Sequence, residues 1–303
     1  MTRHELPLER RTLHGHFSPE LSPVLEIESG DEVVFRTLDA RWSVGDGERQ
    51  FEPRDPELDA GHALCGPVAL RGSLPGTAVA VHVEELLTER TGWTAVAGTP
   101  LNAALGVTDG EGYRMSWELD PVAGIARNDH GLRARMRPFL GVMGVAPAEP
   151  GRHSTAPPRP TGGNIDCREL VVGSTLYLPV AVPGALFSTG DGHAAQGDGE
   201  SSGTAIECGM AHARLRFELL PDPRPAMPWA QTPAGPITFG FDEDLDRAME
   251  VALSAMLDVL VDRHDLARRE ALALSSTVVE LRVTQVVNGV RGVHALLPDG
   301  AIF

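Results

Sequence analysis

The chain has 303 residues, 42% of them hydrophobic, and a formal net charge of −16 at pH 7. That length admits one large domain or two small ones, and the acidity argues against a nucleic-acid binder, whose footprint is basic. No run of about 18 consecutive apolar residues predicts a membrane span, and the opening Met1–Arg11 lacks the apolar core of a secretion signal, so a cytoplasmic protein is expected.

From Val24 to about Leu105, short apolar runs are cut by turn residues. Val24–Glu28 and Glu32–Thr37 read as strands around a turn at Ser29-Gly30-Asp31, and Val68–Gly72 and Ala78–Val83 repeat the layout around Leu74-Pro75-Gly76. Residues 121 to 140 carry a turn signal between two strands. The proline- and glycine-rich stretch 146–163 reads as an ordered loop beside a site rather than a free hinge. Strands resume near Leu176–Val182 and Ala211–Leu219. A helix is predicted from Phe241-Asp242, with Asp242, Glu243 and Asp244 in its first turn. Leu245, Met249, Ala252, Met256 and Val259-Leu260 would form its apolar face. A second helix is predicted over Leu266–Val278, then a strand through Leu281–Val287 and a hairpin at Asn288-Gly289. The fold class that follows is mainly β, with sandwich- or barrel-like strands and one or two helices in the C-terminal third, α+β overall. The organisation expected is one domain over 1–303, or two β subdomains (about 1–145 and 164–303) joined by the 146–163 loop.

Cys65, Cys167 and Cys208 are the three cysteines and form no Cys-x-x-Cys pair, which suits a reducing compartment rather than a disulfide framework. All 26 basic residues are arginine. No mechanism that needs a catalytic lysine can operate in this chain.

The densest chemistry lies between residues 164 and 208, where Asp166, Asp191, His193, Gln196, Asp198, Glu200 and Glu207 are separated by small residues. Clustered carboxylates repel one another unless a cation or a shared proton holds them. Asp191-Gly192-His193 and Asp198-Gly199-Glu200 each place two polar side chains on one face of an extended backbone. Asp166 and Glu207 would complete a shell from neighbouring strands, and mixed histidine–carboxylate ligation suits zinc or another divalent ion. The bland alternative makes Asp191 and Asp198 turn formers and His193 a satisfied loop histidine. The density of the group favours a site. Gly199–Gly203 fits Gly-x-Ser-x-Gly, but the strand before and the helix after that such a nucleophile needs are missing. Cys167 has only Arg168 beside it as a basic neighbour, a weak setting for a reactive thiol.

The residues Gly163–Cys167, Gly173–Val180, Pro183–Ser188 and Gly190–Glu200 resemble the core signature of the acetamidase/formamidase family. The likeness extends to Pro23-Val24-Leu25 with Ser29-Gly30-Asp31, to Gly66-Pro67-Val68 with Pro75-Gly76, and to Leu281–Asn288. Residues 41 to 60 depart from the family's pattern, and Gly192 stands where a larger residue is common. The resemblance implies a mostly β fold with a late helical segment. It also implies metal-dependent hydrolysis of short linear amides such as formamide or acetamide to the acid and ammonia, in a homo-oligomer. The missing lysine excludes the Cys-Glu-Lys and Ser-Ser-Lys triads of two other amidase classes.

The expectation is therefore a divalent metal, zinc first and calcium as the alternative, held by Asp166, Asp191 and His193. Glu200 or Glu207 would move the proton, and Gln196 and Asp198 would contact the substrate. His14 or His16 would supply a further ligand or an oxyanion donor. The rival from another class is a non-catalytic, metal-stabilised β-sandwich that binds a small polar ligand.

Overall fold

The computed structural model describes residues 1–44, 50–52, 54–96, 98–107, 112–221 and 226–303. Two large sheets dominate them, and neither closes into a barrel. The first runs Arg3–Leu6, Glu32–Phe35, Met210–Leu220, Ala78–Thr88, Thr175–Pro179, Trp229–Thr232, Gly235–Asp242, Arg291–Leu296, Glu280–Gln285. The second runs Arg133–Arg135, Ile125–Asn128, Tyr113–Asp120, Thr91–Val96, Glu207–Cys208, Phe187–His193, Phe139–Gly144, Gly162–Asn164. Leu64–Leu70 joins the second sheet through Phe187–His193 and brings Leu13–His14 and Leu25–Ile27 with it.

The main core takes side chains from both sheets. Phe187 of the second packs edge-on against Phe217 and Phe35 of the first, at ring-centroid distances of 5.0 and 6.3 Å. Such edge-to-face aromatic contacts add to the burial that holds two sheets face to face. The turns predicted around Gly30 and Gly76 both form, and each carries the chain from one sheet to the other. Leu25–Ile27 pairs with Leu64–Leu70, whereas Glu32–Phe35 pairs with Met210–Leu220. The loop after Gly144 is tied down where His153–Ser154 pairs with His16–Phe17.

The two late helices span Leu245–His264 and Arg268–Val278. The first starts after the Phe241-Asp242 expected from sequence, because the preceding strand continues to Asp242, which pairs with Arg291. Asp244 then caps the helix, accepting from the N–H groups of Asp246 and Arg247. Ala248, Ala252, Met256 and Leu260 bury one face against Val293 and Ala295. Gly240 permits that approach, since a Cβ there would meet the Ala248 carbonyl at 1.9 Å. No helix among the described residues is long and apolar enough to cross a membrane.

Candidate active site

The Phe187–His193 strand is the spine of the site. Asp191 and His193 lie near its end, and Glu207 sits directly opposite His193 in the neighbouring strand, a register that places both side chains on one face. On the other side, Phe139 pairs with His193 and packs its ring edge-on against the imidazole, 4.9 Å between centroids. Asp166 arrives from the turn after Gly162–Asn164, where its N–H and that of Ile165 both donate to the Gly141 carbonyl. Buried Glu169 anchors that turn by accepting from Arg282 at 3.1 Å. Glu200 comes from a turn held against the other sheet, with Gly199 donating to Thr284 and accepting from Val286.

The result is a compact group of buried donors. Ligand atoms of Asp166, Asp191 and His193 lie within 4.8 Å of one another, and those of His193, Glu200 and Glu207 do likewise. All five residues are buried. His193 Nε2 is 3.4 Å from Asp191 Oδ2 and 3.3 Å from Glu207 Oε2, but neither contact meets hydrogen-bond geometry. Asp166 Oδ1, Asp191 Oδ1, His193 Nε2, Glu200 Oε2 and Glu207 Oε2 are all buried without a hydrogen-bond partner. An unpaired buried charge is costly, and two such clusters sharing His193 match chelating sets for a small cation.

Gly141 makes room for this group. A Cβ there would stand 2.6 Å from Asp191 Oδ2, 2.7 Å from Asp166 Oδ1 and 2.9 Å from His193 Cε1. Backbone strain gathers here as well. Asp166, Asp191 and Glu200 adopt left-handed conformations, with φ of 52°, 56° and 47°, at about 1–3 kcal/mol each. The surrounding ladder holds acids in backbone shapes that side chains ordinarily avoid.

The electrostatics follow from burial and crowding. Burial, with Asp191 repulsion added and His193 opposing, raises the Asp166 carboxyl to about 7. Burial and the proximity of Asp166 push Glu200 well above the usual carboxylate range, and burial also raises Glu207. For Asp191, burial is the largest influence and works upward, but the charges of His193 and His62 and the close contacts of His193 and Glu207 together outweigh it, and the carboxyl is lowered. Burial likewise opposes the charge on His193, yet Glu207 and Asp191 hold its pKa well above the ordinary value.

Gln196 fixes the orientation of His193. Its Nε2 donates to the Asp166 main-chain carbonyl at 2.7 Å, and a carbonyl only accepts, so the amide cannot be flipped. Its Oε1 then faces His193 Nδ1 at 3.0 Å. Nδ1 must carry the proton, and Nε2 is turned toward the carboxylates. Gln196 thus lies behind the histidine, whereas sequence placed it against the substrate. Asp198, the other expected substrate contact, is one-third exposed, 4.0 Å from Arg168 Nε. It borders a depression next to the site rather than the cavity lined by Asp191 and Glu207.

The other sequence candidates lie apart. His14 bonds the His16 carbonyl and Ser188 Oγ, and His16 bonds the Leu58 carbonyl. Cys167 Sγ contacts Glu169 Oε2 at 3.6 Å, and burial beside that carboxylate pushes the thiol pKa well up, which disfavours a nucleophilic thiolate. Three residues with no sequence signal for the site join it. Asn288, read as a hairpin turn, donates Nδ2 to Asp166 Oδ2 at 2.7 Å. His62, whose Nδ1 lies 2.8 Å from Thr155 Oγ1, borders the cavity, and Gly141 leaves the space into which Asp166, Asp191 and His193 crowd.

The cavity above the acids measures about 490 Å³. Asp191, Glu200, Glu207 and Asn288 line its base, and Trp42, Trp93, Arg41 and Arg54 its wall.

The acetamidase/formamidase family pattern matches residues 2–152 and 151–231. The acetamidase of Mycolicibacterium smegmatis is 24% identical over 248 residues, covering 62% of this chain and 61% of that protein. A putative formamidase of Schizosaccharomyces pombe is 28% identical over 251 residues, covering 64% and 60%. The chain thus spans about three fifths of the length of these curated relatives. Among solved structures, an acetamidase from Bacillus halodurans superposes with a TM-score of 0.84 at 26% identity, covering 98% of this chain and 97% of that one. A predicted acetamidase/formamidase from Thermoanaerobacter tengcongensis gives 0.86 at 25%, covering 100% and 99%. With its fold, its acidic pocket and the family pattern running through residue 231, the chain belongs to the acetamidase/formamidase family.

Proposed function

We propose that the protein hydrolyses short linear amides to the carboxylic acid and ammonia, using a divalent cation held by Asp166, Asp191 and His193. The observation that carries this reading is five buried residues, each with an unpartnered ligand atom, in two clusters that share His193. Carboxylate and imidazole donors suit zinc, with calcium as the alternative. Such an ion, when bound, supplies Lewis acidity toward an amide carbonyl and a water.

The protein's own groups do the rest. Gln196 turns His193 Nε2 inward, and Asn288 orients Asp166. Glu207 is tied by the Ala205 N–H and sits against His193. Glu200, at the base of the cavity with Oε2 unpartnered, is the residue to which we assign the proton transfer. The water oxygen forms the new bond to the carbonyl carbon, and Glu200 takes the water proton. Glu200 then returns that proton to the nitrogen as the carbon–nitrogen bond breaks, so that ammonia departs rather than amide ion.

The test is ammonia release from formamide, acetamide and propionamide, with metal analysis on the same sample. Asp191→Asn and His193→Ala should each abolish activity and lower the bound metal. Full activity in metal-free protein would sink the cation's role, and no ammonia from any amide would sink the reading itself.

A further inference from the structure

Formamide and acetamide are far smaller than the cavity above the acids. A space of about 490 Å³ lies in the range that accepts much larger ligands. Its base is acidic, but its wall presents Arg41 and Arg54.

Both guanidinium groups are set in place by the fold. Arg41 lies over the Trp93 ring, 4.6 Å from its centroid. Beneath it, buried Asp39 accepts from the Trp93 indole N–H at 2.7 Å and from the N–H groups of Arg41 and Ser43 at 2.9 and 2.8 Å. Arg54 lies over Trp42, 5.0 Å from the ring centroid, and donates to the Asp59 carbonyl at 2.8 Å. Trp42 is itself fixed, through its indole N–H to the Gly61 carbonyl and a left-handed backbone at φ 65°. The Asp59 carboxylate is fully buried and held by both Nη atoms of Arg10. Among the described residues no carboxylate pairs with Arg41 or Arg54. Two exposed guanidinium groups, each stacked on a tryptophan and lining one cavity, with no carboxylate paired to either among the described residues, offer an anion its donors.

The geometry points to a substrate that is anionic at the end away from its amide: a monoamide of a short dicarboxylic acid. Its carboxylate engages Arg41 and Arg54. The uncharged amide is thereby directed to Glu200 and the cluster. This inference rests on the amide-hydrolysis reading and adds the class of acyl group.

The experiment compares succinamate with its neutral isostere succinamide, with acetamide as reference, on the full chain supplied with Zn²⁺. The expected result is a kcat/KM for succinamate roughly tenfold or more above that for succinamide, the order expected of hydrogen bonds to a charged group. That preference should shrink as salt is raised and fall toward unity in Arg41→Gln and Arg54→Gln. Hydrolysis of acetamide and succinamide without preference for succinamate overturns this inference alone. A preference that neither substitution changes overturns the assignment to these arginines. No ammonia from any of the three amides overturns the function reading, and this inference falls with it. The wild-type preference and its salt dependence decide the matter even where a variant fails to fold.

Discussion

Asn288 donates its side-chain N–H to Asp166 Oδ2 at 2.7 Å, across 122 positions of sequence. The bond leaves Oδ1 of the same carboxylate unpartnered and facing the cluster. Groups that orient a ligand in this way typically contribute 10–100-fold, as an order of magnitude, to metal affinity or activity. Asn288→Ala should therefore weaken metal binding by about that factor with little change in the unfolding midpoint. Metal titration beside a urea melt checks it, and unchanged affinity would show that Asp166 needs no such brace.

Gly141→Ala should silence the site while retaining the fold. The new methyl group meets Asp191, Asp166 and His193 at 2.6 to 2.9 Å, so those groups must move apart. A misplacement of about 1 Å can cost roughly a hundredfold in rate, whereas overpacking costs about 1–3 kcal/mol of stability. Ammonia release and thermal unfolding on one preparation separate these effects. Retained activity would mean the ligands tolerate displacement.

Gln196→Leu keeps the bulk near His193 but removes the bond that fixes the proton on Nδ1. Metal affinity should fall by about 10- to 100-fold, with a smaller loss in Gln196→Glu, whose carboxylate still accepts from Nδ1. Equal losses in the two variants would argue that Gln196 matters through its bond to the Asp166 carbonyl instead.

His14 sets a pH window for stability outside the acidic cluster. Burial is the largest influence and lowers its pKa to about 4, although the His16 carbonyl pulls the other way. The folded value is below the unfolded one, so between about 6.5 and 4 the unfolded chain binds a proton that the folded chain refuses. Stability from neutral His14 is thus complete above about pH 6.5 and drains as pH falls toward 4. His14→Gln should remove about 2 kcal/mol of the loss between pH 7 and pH 5, read from urea melts. An unchanged slope would locate the acid sensitivity elsewhere.

Much of the site was legible because chain-local residues form it. Asp191 and His193 share a strand and Glu207 lies opposite, so an unusual density of polar groups in one stretch remains a density in space. What sequence could not show depends on pairing between distant segments. The turns at Gly30 and Gly76 marked where strands end, but not that they cross between sheets. Gly141 reads as one more strand residue until Asp166 and Asp191 are brought over it. Gln196 carries no sign of whether it faces a ligand or supports a histidine, because its direction depends on the turn that follows. Residues 41 to 60 stood out only as a departure from the family pattern, and that segment supplies Arg41, Trp42 and Arg54 to the cavity wall.

The hairpin after residue 280 lies beyond the stretch matched by the family pattern, yet it works as a clasp. The Gln285 side chain shapes its loop by bonding the main chain at Val287, Asn288 and Val290. The loop then holds Asp166 through Asn288, while Thr284 and Val286 grip the Gly199 backbone next to Glu200. The segment from Thr284 to Asn288 therefore fastens two acids of the site, and a version cut at residue 231 would keep the matched stretch but lose the fastening.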